Sequence, residues 1–214
     1  MVKDVDGSDE VTRSVSTVEL DGAPARRSVV SRLYATGIDD LWDALTNPDR
    51  IPRWFLPVSG DLRLGGTYQL EGNAGGRIEE CEPPRRLRIT WGMGEGLSTW
   101  VTVTLRPVGS DSRLELEHIG PVPEELWAMF GPSATGIGWD TTLLGLALHV
   151  EAPDAPHPSA DASAWMASPE GLAFVQASGQ AWSAADVAAG TEPDEAAARA
   201  RRTVAAYTGQ PDPT

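Results

Sequence analysis

The side chains able to do chemistry are few, and His118 comes first. It ends the run Arg113-Leu114-Glu115-Leu116-Glu117-His118, in which Leu114, Leu116 and His118 alternate with charged residues. On a strand that parity puts the imidazole on the apolar face. There a neutral ring could orient a ligand or act as a base; held by backbone hydrogen bonds, it would be only structural. Tyr68 could add a polar handle beside it. Asp140, near the start of an expected long helix, could face a cavity mouth, or simply suit the positive end of the helix dipole. His118 with Tyr68 or Asp140 is the candidate catalytic set.

The other reactive types lack partners. His149 and His157 fall at a helix end and in a linker, and with Cys81 as the single cysteine they offer no metal-ligand spacing. Cys81, before Glu-Pro-Pro, reads as a small buried hydrophobe. The loop Gly92-Met93-Gly94-Glu95-Gly96 lacks the order of a dinucleotide fingerprint and places a glutamate where a phosphate would sit. The sole lysine is Lys3, so a Schiff base has no candidate in the domain. No cofactor and no metal are expected. A net charge of −14 repels phosphate backbones, which argues against nucleic acid. No apolar run reaches bilayer length and the first residues lack a secretion pattern, so no membrane partner and a cytoplasmic location are expected.

These residues must be positioned by an α+β scaffold. Residues 1–14 are polar and acidic and read as a loose tail. Strands are expected at 16–20 and 27–34 around the turn Asp21-Gly22. A short helix follows, with Leu41, Trp42 and Leu45 on one stripe. From 58 to 118 the pattern has period two, broken by glycine and proline. Leu87, Ile89 and Trp91 share one face, as do Val101, Val103 and Leu105; Trp100 then faces outward and calls for cover from the C-terminal helices or from a second subunit, a homodimer. The segment 124–130 reads as a helical turn or a lid. A long helix spans 133–150, with Ile137, Leu144 and Leu148 as its stripe and glycines that permit close packing against a sheet. A linker follows. Ser168-Pro169-Glu170 starts another helix by cap and proline, Gly190 stops it, and an alanine-rich helix closes the chain.

The order hairpin, short helix pair, antiparallel strands, long helix is that of a helix-grip fold: a curved antiparallel sheet around one helix. The chain resembles the START-like (SRPBCC) superfamily, in the branch similar to the C-terminal domain of the activator of Hsp90 ATPase. The resemblance rests on the run from Leu41 to Trp54, on Asp61-Leu62-Arg63-Leu64-Gly65-Gly66, on Glu82-Pro83-Pro84-Arg85-Arg86-Leu87 with Thr90-Trp91, and on Leu114 to Gly120. It covers residues 15–150; 151–214 form a linker and a helical C-terminal extension. The resemblance implies a cavity between sheet and helix that binds apolar small molecules, and in some members cyclase, lyase or hydrolase chemistry.

The aromatic residues have two readings, a packed core or a pocket wall. As a wall, the ligand-binding set is Trp42, Trp54, Phe55, Tyr68, Trp91, His118, Trp139 and Leu143. Three functions follow. The favoured one is binding of an apolar or aromatic small molecule. An enzyme on the same scaffold, with acid–base chemistry at His118, is the second. The third is a protein-interaction or co-chaperone-like module presenting Trp100 and the C-terminal helices.

Overall fold

The structure is a computed structural model describing residues 11–94, 99–154 and 162–211. The expected acidic tail up to residue 10, the second half of the Gly92–Gly96 loop, His157 and most of the linker lie outside the described residues.

Strands β1 (Val11–Leu20) and β2 (Ala23–Tyr34) form a hairpin around Asp21-Gly22. Both turn residues have positive φ, 50° and 78°, the backbone twist that a two-residue hairpin needs. β1 starts at Val11 and not at Ser16, so residues 11–14 are strand and not tail. Val11, Arg13 and Val15 share the inner face, and Arg13 hides the period because its charge is paired inside the protein.

Helix α1 (Ile38–Thr46) and a single 3₁₀ turn (Ile51–Arg53) lead to β3 (Val58–Gly60), β4 (Thr67–Leu70), β5 (Gly75–Glu82), β6 (Arg86–Trp91), β7 (Thr99–Val108) and β8 (Asp111–Gly120). The strands form one curved antiparallel sheet in the order β1-β2-β8-β7-β6-β5-β4-β3. A register shift between Ile78 and Glu80 lets both Ile78 and Cys81 face inward, which strict alternation would forbid.

After α2 (Glu124–Phe130), helix α3 (Ser133–Glu151) crosses the inner face of the sheet. Trp139, Leu143 and Leu146 join the main core, and the Tyr34 hydroxyl donates to the Leu143 carbonyl at 3.1 Å. The expected Ile137–Leu144–Leu148 stripe splits: Ile137 is buried, Leu148 is exposed. The reason is that α3 has two dry sides. Sheet residues cover one, and the extension covers the other.

The extension consists of α4 (Ala162–Ala167), α5 (Pro169–Ala188) and α6 (Pro193–Thr208). Ser168 caps α5 as its sequence implies, its hydroxyl accepting from the Gly171 amide at 3.1 Å. Trp182 of α5 is fully buried and belongs to the same core as the sheet. It lies against Gly136, where a Cβ would come within 2.3 Å of the indole, so the α3 glycine serves the extension and not the sheet. α6 packs on α5 and α2, with Tyr207 donating to Ala134 carbonyl at 2.9 Å and Arg202 to Met129 carbonyl at 2.7 Å.

Two further expectations change. α2 is no lid: Trp127 is buried beneath the Arg26 guanidinium, and α2 packs against α6. Trp100 is half-buried with the Arg88 guanidinium 5.9 Å from its ring, whereas α5 packs against α3 and β1. Neighbouring side chains, not the C-terminal helices, shield that indole.

Candidate functional site

Between the main core and a smaller cluster of Tyr68, Leu70 and Ile78 lies a cavity of about 160 Å³. Its walls come from every layer. α3 supplies Trp139, Thr142 and Leu143; the segment after α1 supplies Trp54 and Phe55; β4, β5 and β6 supply Tyr68, Ile78, Cys81 and Trp91; β7 and β8 supply Val101, Val103, Leu114 and Leu116. The aromatic wall is interlocked. Trp54 and Phe55 stack at 5.6 Å between centroids, Tyr68 lies 6.5 Å from Trp91, and Trp91 lies 4.9 Å from Trp139. Arg63, on the loop between β3 and β4, also borders the cavity, and its side chain is 79 % exposed, which marks the mouth.

Of the expected ligand-binding set, Trp54, Phe55, Tyr68, Trp91, Trp139 and Leu143 border this space; Trp42 and His118 do not. Trp42 packs half-buried against the edge of the main core, because Leu41 and Ala44 occupy the inward positions of α1. His118 sits behind the wall. Trp139 Nε1 donates to His118 Nδ1 at 3.0 Å, so the imidazole proton sits on Nε2, which faces Thr99 Oγ1 at 2.7 Å. Thr99 in turn donates to the Trp91 carbonyl at 3.0 Å. The ring is therefore neutral and doubly bonded, and burial pushes its pKa down to about 4. It fixes the indole that walls the cavity.

Tyr68 donates its hydroxyl to the Thr90 carbonyl at 2.7 Å, and burial raises its pKa. Asp140 faces the other side of α3. Its carboxylate accepts from Arg13 Nε at 3.0 Å, from the Ser178 hydroxyl and from Trp182 Nε1 at 3.0 Å. Burial raises its pKa against the pull of the Arg13 charge. No hydrogen bond joins His118 to Tyr68 or to Asp140 among the described residues, so the structure does not bring the expected catalytic set together. Nor do three His, Cys, Asp or Glu side chains group so as to hold a metal among the described residues. No helix there is long and apolar enough to cross a membrane.

Residues 35–151 match the family model described as Activator of Hsp90 ATPase homolog 1-like protein. The chain belongs to this family. Among solved structures, this family member is similar to CalU16 from Micromonospora echinospora. The crystal structure of CalU16 is 32% identical, covers 82% of this chain and 97% of its own, and has a TM-score of 0.65. The solution structure is 33% identical, covers 86% and 99%, and has a TM-score of 0.69. MLL2253 from Mesorhizobium loti is 24% identical over 61% of this chain and all of its own at a TM-score of 0.54, a likeness of fold alone. No curated protein matches.

Sequence reasoning missed much of the lining of this Hsp90-activator-like domain. Leu45, Ile51, Leu62, Arg63, Leu70 and Ile78 were not in the expected set. Tyr68 and Leu70 alternate with exposed Thr67 and Gln69, a parity that was available. Cys81, expected as a small buried hydrophobe, is half-buried and reaches the lining through the bulge.

Proposed function

We propose that the protein binds a small apolar molecule, of single-ring size, between the sheet and α3. One observation carries this: apart from Arg63 at the mouth, the hydrogen-bonding side chains around the cavity are already committed. Thr46 donates to Trp42 carbonyl at 2.8 Å, Trp54 to Ala44 carbonyl at 2.9 Å, Thr142 to Gly138 carbonyl at 2.9 Å, Tyr68 to Thr90 and Trp139 to His118. A space whose inner lining donors are satisfied within the protein favours apolar content over water. The cavity of about 160 Å³ also limits its occupant, since apolar cavities of roughly 150 Å³ accept benzene, while drug-sized ligands need about 300 Å³ or more.

The test is native mass spectrometry of the purified protein, followed by benzene or indole titration. Leu143→Trp fills the space from α3. It is expected to weaken binding by at least about tenfold, in line with loss of roughly 1.5 kcal/mol or more of buried contact. Binding unchanged in Leu143→Trp, with the fold intact by circular dichroism, would place the ligand elsewhere and sink the proposal.

A further inference from the structure

The mouth of the cavity carries a chemical bias of its own. Among the lining residues the one side chain charged at neutral pH is Arg63, in a chain whose net charge is −14. Asp61 holds Arg63 through Nε alone, at 2.8 and 2.9 Å to its two oxygens. The two terminal nitrogens of that guanidinium carry no hydrogen bond to any described residue. Arg77 on β5, across from Thr67 in the β4–β5 register, donates to the Gly65 carbonyl at 2.9 Å and so helps to hold the loop that carries Arg63. One guanidinium with two uncommitted terminal nitrogens therefore stands at the opening of an apolar space.

The loop is held in place. Gly65 donates to the Ile78 carbonyl at 2.8 Å and Ile78 to the Gly66 carbonyl at 3.0 Å, which ties it to β5 beside the cavity wall. A Cβ on Gly66 would meet the Asp61 carbonyl at 2.0 Å, so the tight turn that presents Arg63 depends on that glycine.

We infer that the ligand is a monocarboxylate amphiphile, with its apolar part in the cavity and its carboxylate at the mouth against Arg63. This rests on the cavity reading above and adds the sign of the head group. The planar fork of an arginine suits a carboxylate, and at an exposed site the gain is modest. The cavity volume sets the apolar part at about six carbons, the size of one ring.

The experiment compares hexanoate, hexanol and hexylammonium at neutral pH and low salt. Binding is followed by the indole N–H signals of Trp54 and Trp139, whose acceptors are fixed. Hexanoate is expected to bind about fivefold tighter than hexanol, and hexylammonium weakest. Arg63→Glu should put hexylammonium ahead of hexanoate and leave hexanol within about twofold. If all three bind alike, or Arg63→Glu leaves the order unchanged, the head-group inference falls and the cavity reading stands. If none of them moves either indole signal, both fall together.

Discussion

His118 shows how one residue's chemistry is set by its neighbours. A ring exposed to water would titrate near 6.5; here the indole of Trp139 donates to one nitrogen and burial disfavours the charge. Between pH 6.5 and about 4 the unfolded chain takes up a proton at His118 that the folded chain refuses. Folding is thus favoured above that window, and stability is lost as pH falls through it. The shift corresponds to about 3 kcal/mol. Urea unfolding of the wild type and of His118→Gln, run from pH 7 to 4, should show the difference between them shrinking with acid; a constant difference would mean the imidazole is not held neutral. The residue's face was legible from strand parity. Its role was not, because Thr99 and Trp139 meet it through tertiary structure.

At the scale of elements, α3 decides both the cavity and the attachment of the extension. It holds Trp139 and Leu143 towards the sheet, and Gly136, Ile137 and Asp140 towards α5. A helix dry on two sides has no clean apolar stripe, which is why the sequence pattern gave Leu148 a buried place it does not have. The strands were easier to read: one wet face and one dry face leave a period of two, and Leu87, Ile89, Val101, Val103, Leu114 and Leu116 fall where that period puts them. The β5 bulge breaks the same rule and puts Ile78 and Cys81 on one face. Gly136→Ala tests the α3–α5 contact. Alanine gains up to about 1 kcal/mol of helix propensity, but its methyl would collide with a fully buried Trp182. Overpacking wins, and a net loss of about 1–2 kcal/mol is expected from thermal or urea unfolding. A stabilised variant would mean that α5 yields readily.

Across the whole molecule, Asp140 joins parts far apart in the chain: Arg13 on β1, and Ser178 and Trp182 on α5. No local pattern could show this, since the partners are 38 to 127 residues away. The sequence offered Asp140 as a helix-dipole carboxylate or a catalytic one; tertiary structure makes it a joint. Asp140→Ala would strand the Arg13 charge, whose side chain is 17% exposed, and is expected to cost about 3 kcal/mol. Amide hydrogen exchange should rise in β1 and α5 together. A rise in α5 alone would show that the two ends are not coupled.

That joint also orders events during synthesis. When a growing chain has emerged as far as Glu151, the sheet and α3 can form, but Asp140 lacks Ser178 and Trp182 and the Gly136 face of α3 is bare. The cavity walls are already encoded at that point, whereas the contacts that clamp α3 from behind are not. The unit of sheet and α3 therefore reaches its final stability only after α5 has been made, and a ribosome paused after the linker has emerged leaves an apolar helix face open to whatever meets it first.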